Sequence, residues 1–442
     1  MYDLSLLHAL ATSILAGKPT VEQIVTGCSQ TLGRPWKWLE PLARRYLRKF
    51  SGRTRPRRRE VVKFLKQDRG LRQVWADHAQ ELAIQEWLTP SPHMQPVAAA
   101  VGWHIPAIET PAALAEWFGI ATGELRWFAE IRNLGRKNNR PQLRHYHYRV
   151  LAKPSGSLRL IESPKARLKH LQRQILKQIL EKIPSHPTAH GFVKGRSIKT
   201  FVAPHVGQRL ILRMDVQDFF PSFAAARIQA FFRTLGYPEL VAELLGGICI
   251  TATPHEIWKT TGFDVDLRSL QEARIVYANP HLPQGAPTSP ALANLCSFRI
   301  DSRLYGLAQA VGVRYSRYAD DLAFSGDATF ERGVERFSTH VASILLDEGF
   351  NVQFRKTRVM CSGVRQHLVG LVVNQRPNVM RSDFDRLKAI LTNCVRYGPE
   401  SQNRAAHSNF RMHLEGRVSF VELINPTRGR RLRKLIHQIR WQ

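Results

Sequence analysis

Apolar residues recur at spacings of three and four through the first hundred positions of the chain. LSLLHALATSIL (Leu4 to Leu15) and PWKWLEPLARRYLRKF (Pro35 to Phe50) carry the pattern most plainly, the second with basic residues between the apolar ones, and it predicts amphipathic helices. A further pair of short helices is expected in TPAALAEWFGIATGELRWFAEI, where Thr110 suits an N-cap and Pro111 the first helical position, with a glycine-containing break between the two helices. From His145 the period shortens. HYHYRVLAKPSGSLRLIES reads as two strands joined by a PSG turn, while RLILRMDVQDFF (Arg209 to Phe220) and RYSRYADDLAFS (Arg314 to Ser325) read as further strands. FDRLKAILTNCVRYG and GRVSFVELINPTRGRRLRKLIHQIRW return to helical spacing with many basic positions. Three prolines in TPSPHMQP (Thr89 to Pro96) suggest a turn or linker, with a domain boundary between Thr89 and Thr110.

Composition narrows the function. The 442 residues suffice for about three folded units. A formal charge of +30, with 43% hydrophobic residues, describes a folded body covered in cations, which implies a polyanionic partner and excludes a disordered basic tail. Five scattered cysteines without a CxxC pair argue against a zinc site and a disulfide framework. No uncharged apolar run reaches the length of a membrane span and the first residues lack a basic leader, so the expectation is a cytoplasmic protein with no membrane partner. The densest charge is GRTRPRRR (Gly52 to Arg59), where Gly52 and Pro56 should break a helix and leave Arg53, Arg55, Arg57, Arg58 and Arg59 on an exposed loop able to meet phosphates. A solvated basic loop is the alternative.

Three acids carry the candidate chemistry. Asp215 ends an apolar strand, and Asp320 and Asp321 lie within Tyr318-Ala-Asp-Asp, strand-like on both sides. Adjacent strand residues point to opposite faces, so both aspartates can serve one site only at a hairpin tip. Clustered carboxylates raise one another's pKa unless a cation compensates, and magnesium, a hard cation that shares carboxylates with phosphates, fits that role. Two such ions would suit nucleotidyl transfer, and manganese is the natural substitute. An Asp-Asp pair standing alone would read as a solvated turn.

The order of blocks changes that reading. Asp215, LPQGAPTSP (Leu282 to Pro290), Tyr318-Ala-Asp-Asp and RKT (Arg355 to Thr357) resemble the palm motifs of reverse transcriptases. The resemblance extends to KPSGSLRLIESPKARLKHLQ, HGFVKGRSI and QHLVGLVVN, and covers residues from about 145 to 440. It implies an α+β right-hand polymerase: fingers and palm over residues 110–375, a helical thumb over 376–442, and a basic helical extension over 1–109. Asp215, Asp320 and Asp321 would be the catalytic metal ligands, with the Val216 carbonyl as a further one. Lys153 and Arg159 flank the fingers hairpin that closes on the triphosphate, Gln284 lies beside the sugar and template base, and Gly285 lets backbone approach the nucleotide. Phe220 takes the position of the bulky side chain that excludes a ribose 2′-hydroxyl, and Lys356 that of the palm lysine near the triphosphate. Arg417, Arg430 and Arg431 would follow the duplex from the thumb.

Among these enzymes the chain looks most like the bacterial retron type, which copies a structured noncoding RNA into DNA, often from an internal 2′-hydroxyl, and commonly serves in defence against phage. The partners implied are that RNA, its DNA product and dNTPs, with an effector protein as a further candidate. Two elements linked to recognition of the cognate RNA depart from the retron pattern. The Asn-Ala-x-x-His segment is Phe201-Val-Ala-Pro-His205 here, retaining only His205, and Val-Thr-Gly is Leu368-Val369-Gly370. Alternatives left open are another defence-associated reverse transcriptase, untemplated or protein-primed DNA synthesis, and a non-catalytic RNA-binding scaffold.

Overall fold

A computed structural model describes residues 4–16, 19–51, 56, 58–87, 94–130, 141–152, 158–259 and 266–441. The chain forms two compact units, one built from residues 1–138 and 225–249, the other from 139–224 and 250–442. The first is helical. Helices Leu4–Ala16, Val21–Leu32, Leu39–Lys49 and Arg58–Gln67 turn their apolar stripes inward, burying Leu7, Leu10, Cys28, Leu42, Val61 and Leu65 in one core. Asp68 caps the next helix, Arg69–His78, by accepting from the Leu71 amide at 2.8 Å, and it also receives both Arg45 nitrogens at 2.7 and 2.8 Å. The expected Thr110 cap is present: its Oγ1 accepts from the Ala113 amide at 3.0 Å and Pro111 opens helix Pro111–Phe118. Helices Ala225–Thr234 and Glu239–Cys249 belong to this same unit.

The second unit holds the strands. β1 (Tyr146–Ala152) and β2 (Leu158–Pro164) form the expected hairpin, its turn lying outside the described residues. The central sheet is antiparallel and consists of β3 (Leu210–Gln217), β4 (Arg314–Tyr318), β5 (Asp321–Gly326), β6 (Asn351–Val352) and β7 (Arg358–Cys361), with β3 paired to β5, β6 and β7. β3 is buried over most of its length because both faces are covered, which accounts for its near-continuous apolar run. A small sheet follows, of β8 (His367–Leu368), β9 (Leu371–Val372) and β10 (Asn378–Val379). Helices Arg381–Tyr397, Phe410–Ile424 and Pro426–His437 pack on it through Leu387, Leu391, Leu414, Val418 and Leu432.

Candidate active site

Register brings the acids together. Asp215 on β3 stands directly opposite Asp321 on β5, so the two side chains share a face of the sheet. Tyr318 and Asp321 close the β4–β5 hairpin, leaving Ala319 and Asp320 as its two-residue tip. Ala319 sits at φ 56°, the left-handed conformation this tight turn demands of its first central residue. The tip is held from two sides. The Val216 amide donates to the Asp320 carbonyl at 2.9 Å, and Gly191 packs so closely beneath that a Cβ there would lie 2.7 Å from the Ala319 nitrogen. No side chain fits at position 191 without moving the hairpin.

A buried scaffold stands behind the tip. The Arg317 guanidinium is wholly enclosed and donates to both Asp301 oxygens at 2.7 and 2.6 Å, to Asn294 Oδ1 at 3.0 Å and to the Ala319 carbonyl at 3.2 Å. Tyr315 donates its hydroxyl to the same Asp301 at 2.8 Å.

In front of the tip the charges are less balanced. Burial, then the neighbouring Asp320 and Asp215 carboxylates, push the Asp321 carboxyl up to about 6, with Arg213 and Lys356 opposing. Asp320 is raised as well, by burial first and Asp215 second, with Lys356 and Arg159 opposing. Lys356 Nζ donates to both oxygens of Asp215 at 2.9 and 2.8 Å, while 56% of its side chain stays exposed. Among the described residues no three His, Cys, Asp or Glu side chains close into a metal-holding cluster. The donor set nevertheless suits magnesium, which keeps several waters and is shared between a few carboxylates and substrate phosphates. A cation bound between these acids would offset both the burial and the mutual repulsion that raise Asp320 and Asp321. Val216 uses its amide toward Asp320, and in an extended strand its carbonyl projects to that same edge.

Phe220, Gln284 and Gly285 line one open cleft of about 510 Å³, together with Phe192, Lys169 and Arg173. Gly285 has a packing reason as well. At φ 139°, its missing Cβ would lie 2.9 Å from the Glu162 carbonyl, and the Glu162 amide donates to Gln284 O at 2.9 Å, so the glycine is required for docking this segment on β2. Beneath that junction Glu162 is buried against His281 at 2.9 Å and accepts from Thr253 at 2.8 Å. Arg159 lies on the exposed face of β2, and its charge is felt at Asp320. Lys153 lies outside the described residues.

Several expected nucleic-acid contacts are corrected. His205 is fully buried: one ring nitrogen pairs with Ser325 Oγ and the other with Ser316 Oγ, both at 2.7 Å. Burial, then Arg314 and His190, push its pKa down to about 3, so it is a neutral brace under β4 and β5 with no surface to offer RNA. Leu368 is a core residue of the small sheet, and Val369 and Gly370, at φ 42° and 82°, form the turn there, with Val369 half-buried against that core and Gly370 exposed. Arg58 and Arg59 are exposed but open helix Arg58–Gln67 and are not on a loop, because the helix starts directly after the proline-containing break. Arg53, Arg55 and Arg57 lie outside the described residues. Arg430 and Arg431 are exposed on helix Pro426–His437, and Arg417 is half-buried on helix Phe410–Ile424.

Sequence reasoning passed over Gly191, Phe192, Lys169, Arg173 and the Arg317–Asp301 pair. HGFVKGRSI contained the first two, but nothing in its pattern announces a left-handed phenylalanine or a glycine wedged under a hairpin.

An antiparallel palm sheet that presents paired acids at the end of one strand and on the adjoining hairpin, with helices behind it, defines a right-hand polymerase. Residues 151–397 match the family model described as reverse transcriptase (RNA-dependent DNA polymerase). The chain is 39% identical to the Retron Mx65 reverse transcriptase of Myxococcus xanthus, over 74% of this chain and 71% of that protein. It is 34% identical to the Retron Mx162 enzyme of the same organism, over 77% and 68% of the two chains, and 31% identical to the Retron Ec86 enzyme of Escherichia coli, over 63% and 76%. The chain belongs to the reverse transcriptase family, with retron enzymes as its relatives, and is an RNA-directed DNA polymerase. No described helix is long and apolar enough to cross a membrane.

Proposed function

We propose that the protein performs retron-type synthesis, copying part of a structured noncoding RNA into single-stranded DNA from dNTPs, in a system of antiphage defence. The observation that carries the site assignment is the cross-strand pairing of Asp215 with Asp321, with Asp320 on the adjoining turn. In this reading Asp215, Asp320, Asp321 and the Val216 carbonyl hold two magnesium ions, or manganese in their place. When bound, the metal lowers the pKa of the attacking hydroxyl and neutralises charge on the triphosphate.

The chain's own groups do the rest. The primer hydroxyl attacks the α-phosphorus, the bond to the β-phosphate breaks, and pyrophosphate leaves. Lys356, a flexible cation beside Asp215, is suited to neutralise or protonate that leaving group. Arg159 and Lys153 steady the triphosphate, Phe220 fills the space a 2′-hydroxyl needs, and Gln284 borders the nucleotide. The exposed thumb cations Arg430 and Arg431 and the half-buried Arg417, with Arg58 and Arg59 of the extension, hold phosphates without reading sequence. The residue ranges 1–109, 110–375 and 376–442 serve as extension, fingers with palm, and thumb.

The test uses the full chain purified with its co-purifying RNA and labelled dNTPs. A DNA product whose sequence matches part of that RNA, covalently joined to an RNA 2′-hydroxyl, is expected. A product with no relation to the RNA, or one attached to the protein, would overturn the retron reading while leaving the polymerase intact.

A further inference from the structure

Phe192 is held where a phenylalanine is least at ease. Its backbone has φ 60°, in the left-handed region that costs a bulky residue about 1–2 kcal/mol, and 51% of the residue is exposed, so burial gives little in return. The segment around it leaves the backbone no freedom. The His190 amide donates to the Arg317 carbonyl at 2.8 Å, the Gly191 carbonyl accepts from Asn294 Nδ2 at 2.7 Å, and Gly191 itself is wedged against the Tyr318–Ala319 backbone. The ring is therefore fixed to the catalytic hairpin and projects from it, 6.3 Å from the Phe220 ring and 6.4 Å from that of Tyr318. Strain kept in place by surrounding structure, for a side chain the core does not need, points to use.

The cleft beside the ring indicates what use. Phe192 shares its lining with Phe220, Gln284 and Gly285, and with Lys169 and Arg173, which lie on one face of helix Ala166–Gln178 and have no ion-pair partner among the described residues. An apolar ring, an amide and two free cations match the base, sugar and phosphate of one nucleotide. None of the three carboxylates lines this cleft, nor does Lys356. An incoming triphosphate keeps its phosphates at those groups and brings only its sugar to Phe220 and Gln284, so the part of the cleft along Phe192, Lys169 and Arg173 suits the nucleotide of the other strand.

We propose that Phe192 stacks on the template nucleotide about to be copied, whose phosphate rests on Lys169 and Arg173. The inference rests on the chain being a template-directed polymerase, not on its being of the retron type.

The test places 2-aminopurine in an RNA template opposite the next nucleotide to be added, annealed to a DNA primer and bound to the full chain without dNTPs. The wild-type protein is expected to quench the base through stacking, and Phe192→Gly to lose most of that quenching. Glycine accepts this backbone conformation freely, so the same variant should keep or gain thermal stability. Its KM for the complementary dNTP should rise roughly tenfold or more, with discrimination against ribonucleotides unchanged. Phe192→Leu, which keeps bulk and strain but lacks a π face, should fall between. Lys169→Ala with Arg173→Ala should weaken template binding and reduce its salt dependence. Unchanged quenching and KM in Phe192→Gly would overturn the assignment. So would a marked loss of thermal stability, which would make the ring a packing residue, or a change in ribonucleotide use matching that of Phe220→Ala, which would move it to the incoming sugar.

Discussion

The two sides of the β4–β5 hairpin follow opposite rules. Behind it, Arg317, Asp301, Asn294 and Tyr315 form a closed network, and His205 has both ring nitrogens satisfied by Ser316 and Ser325. In front, Asp320 and Asp321 keep raised pKa values, and among the described residues Asp215 has only the half-exposed Lys356 as its ion-pair partner. The rear is what a folded interior requires. In the proposed reading the front serves a cation and a phosphate that come and go, and repulsion there is tolerable because the rear fixes the backbone that carries it.

The sharpest way to test that division is to remove charge in front. Asp320→Asn with Asp321→Asn should lower dNTP incorporation on a primed RNA template by about a thousandfold or more, several kcal/mol of transition-state stabilisation. The melting temperature in metal-free buffer should hold or rise, since repulsion is relieved. A well-folded variant with full activity would break the comparison.

Removing charge behind should do the reverse. Asp301→Ala leaves the Arg317 guanidinium buried and unpaired, and is expected to cost about 3–5 kcal/mol of stability in denaturant unfolding. Activity of whatever folds should fall less steeply than in the front variants. The His205→Ala effect should be smaller, about 1–3 kcal/mol, because Ser316 retains its bond to the Phe201 carbonyl while Ser325 loses its partner. Binding of RNA by the folded variant should be unchanged; a selective loss would restore a surface role that its burial denies.

The smallest effect lies with Glu162 and His281. Burial alone would lower the His281 pKa, and the Glu162 carboxylate outweighs it, leaving the imidazole raised above its ordinary value. The pair's contribution is thus complete below about pH 6.5 and is lost as pH rises through the folded pKa. The difference in melting temperature between the wild type and His281→Gln should shrink from pH 6 toward pH 9, and a constant difference would show that the imidazole is neutral throughout.

The front was legible in the sequence and the rear was not, for a physical reason. Asp215 closes an apolar run and Asp320 and Asp321 interrupt another, so local alternation predicts strands and a tip. The ordered blocks then supply the polymerase reading. His205 meets Ser316 and Ser325 from more than a hundred residues away, and no local period encodes which face a histidine turns. Gly285 and Gly191 stood out as glycines, but the neighbour each must clear, Glu162 and Ala319, is known only once the chain is folded. The same holds for helices Ala225–Thr234 and Glu239–Cys249, whose membership of the first unit no local pattern announces.

That membership bears on how the molecule is made. Gly247 abuts the Ala129 backbone so tightly that a Cβ would lie 2.4 Å from its carbonyl oxygen, and Val241, Leu245 and Ile248 are buried. During synthesis the first unit cannot be completed until residue 249 has left the ribosome, after β3 and Asp215 have already emerged. A fragment ending at residue 138 would lack two of the unit's helices, and should be produced as an aggregation-prone partial fold, not as a free-standing module.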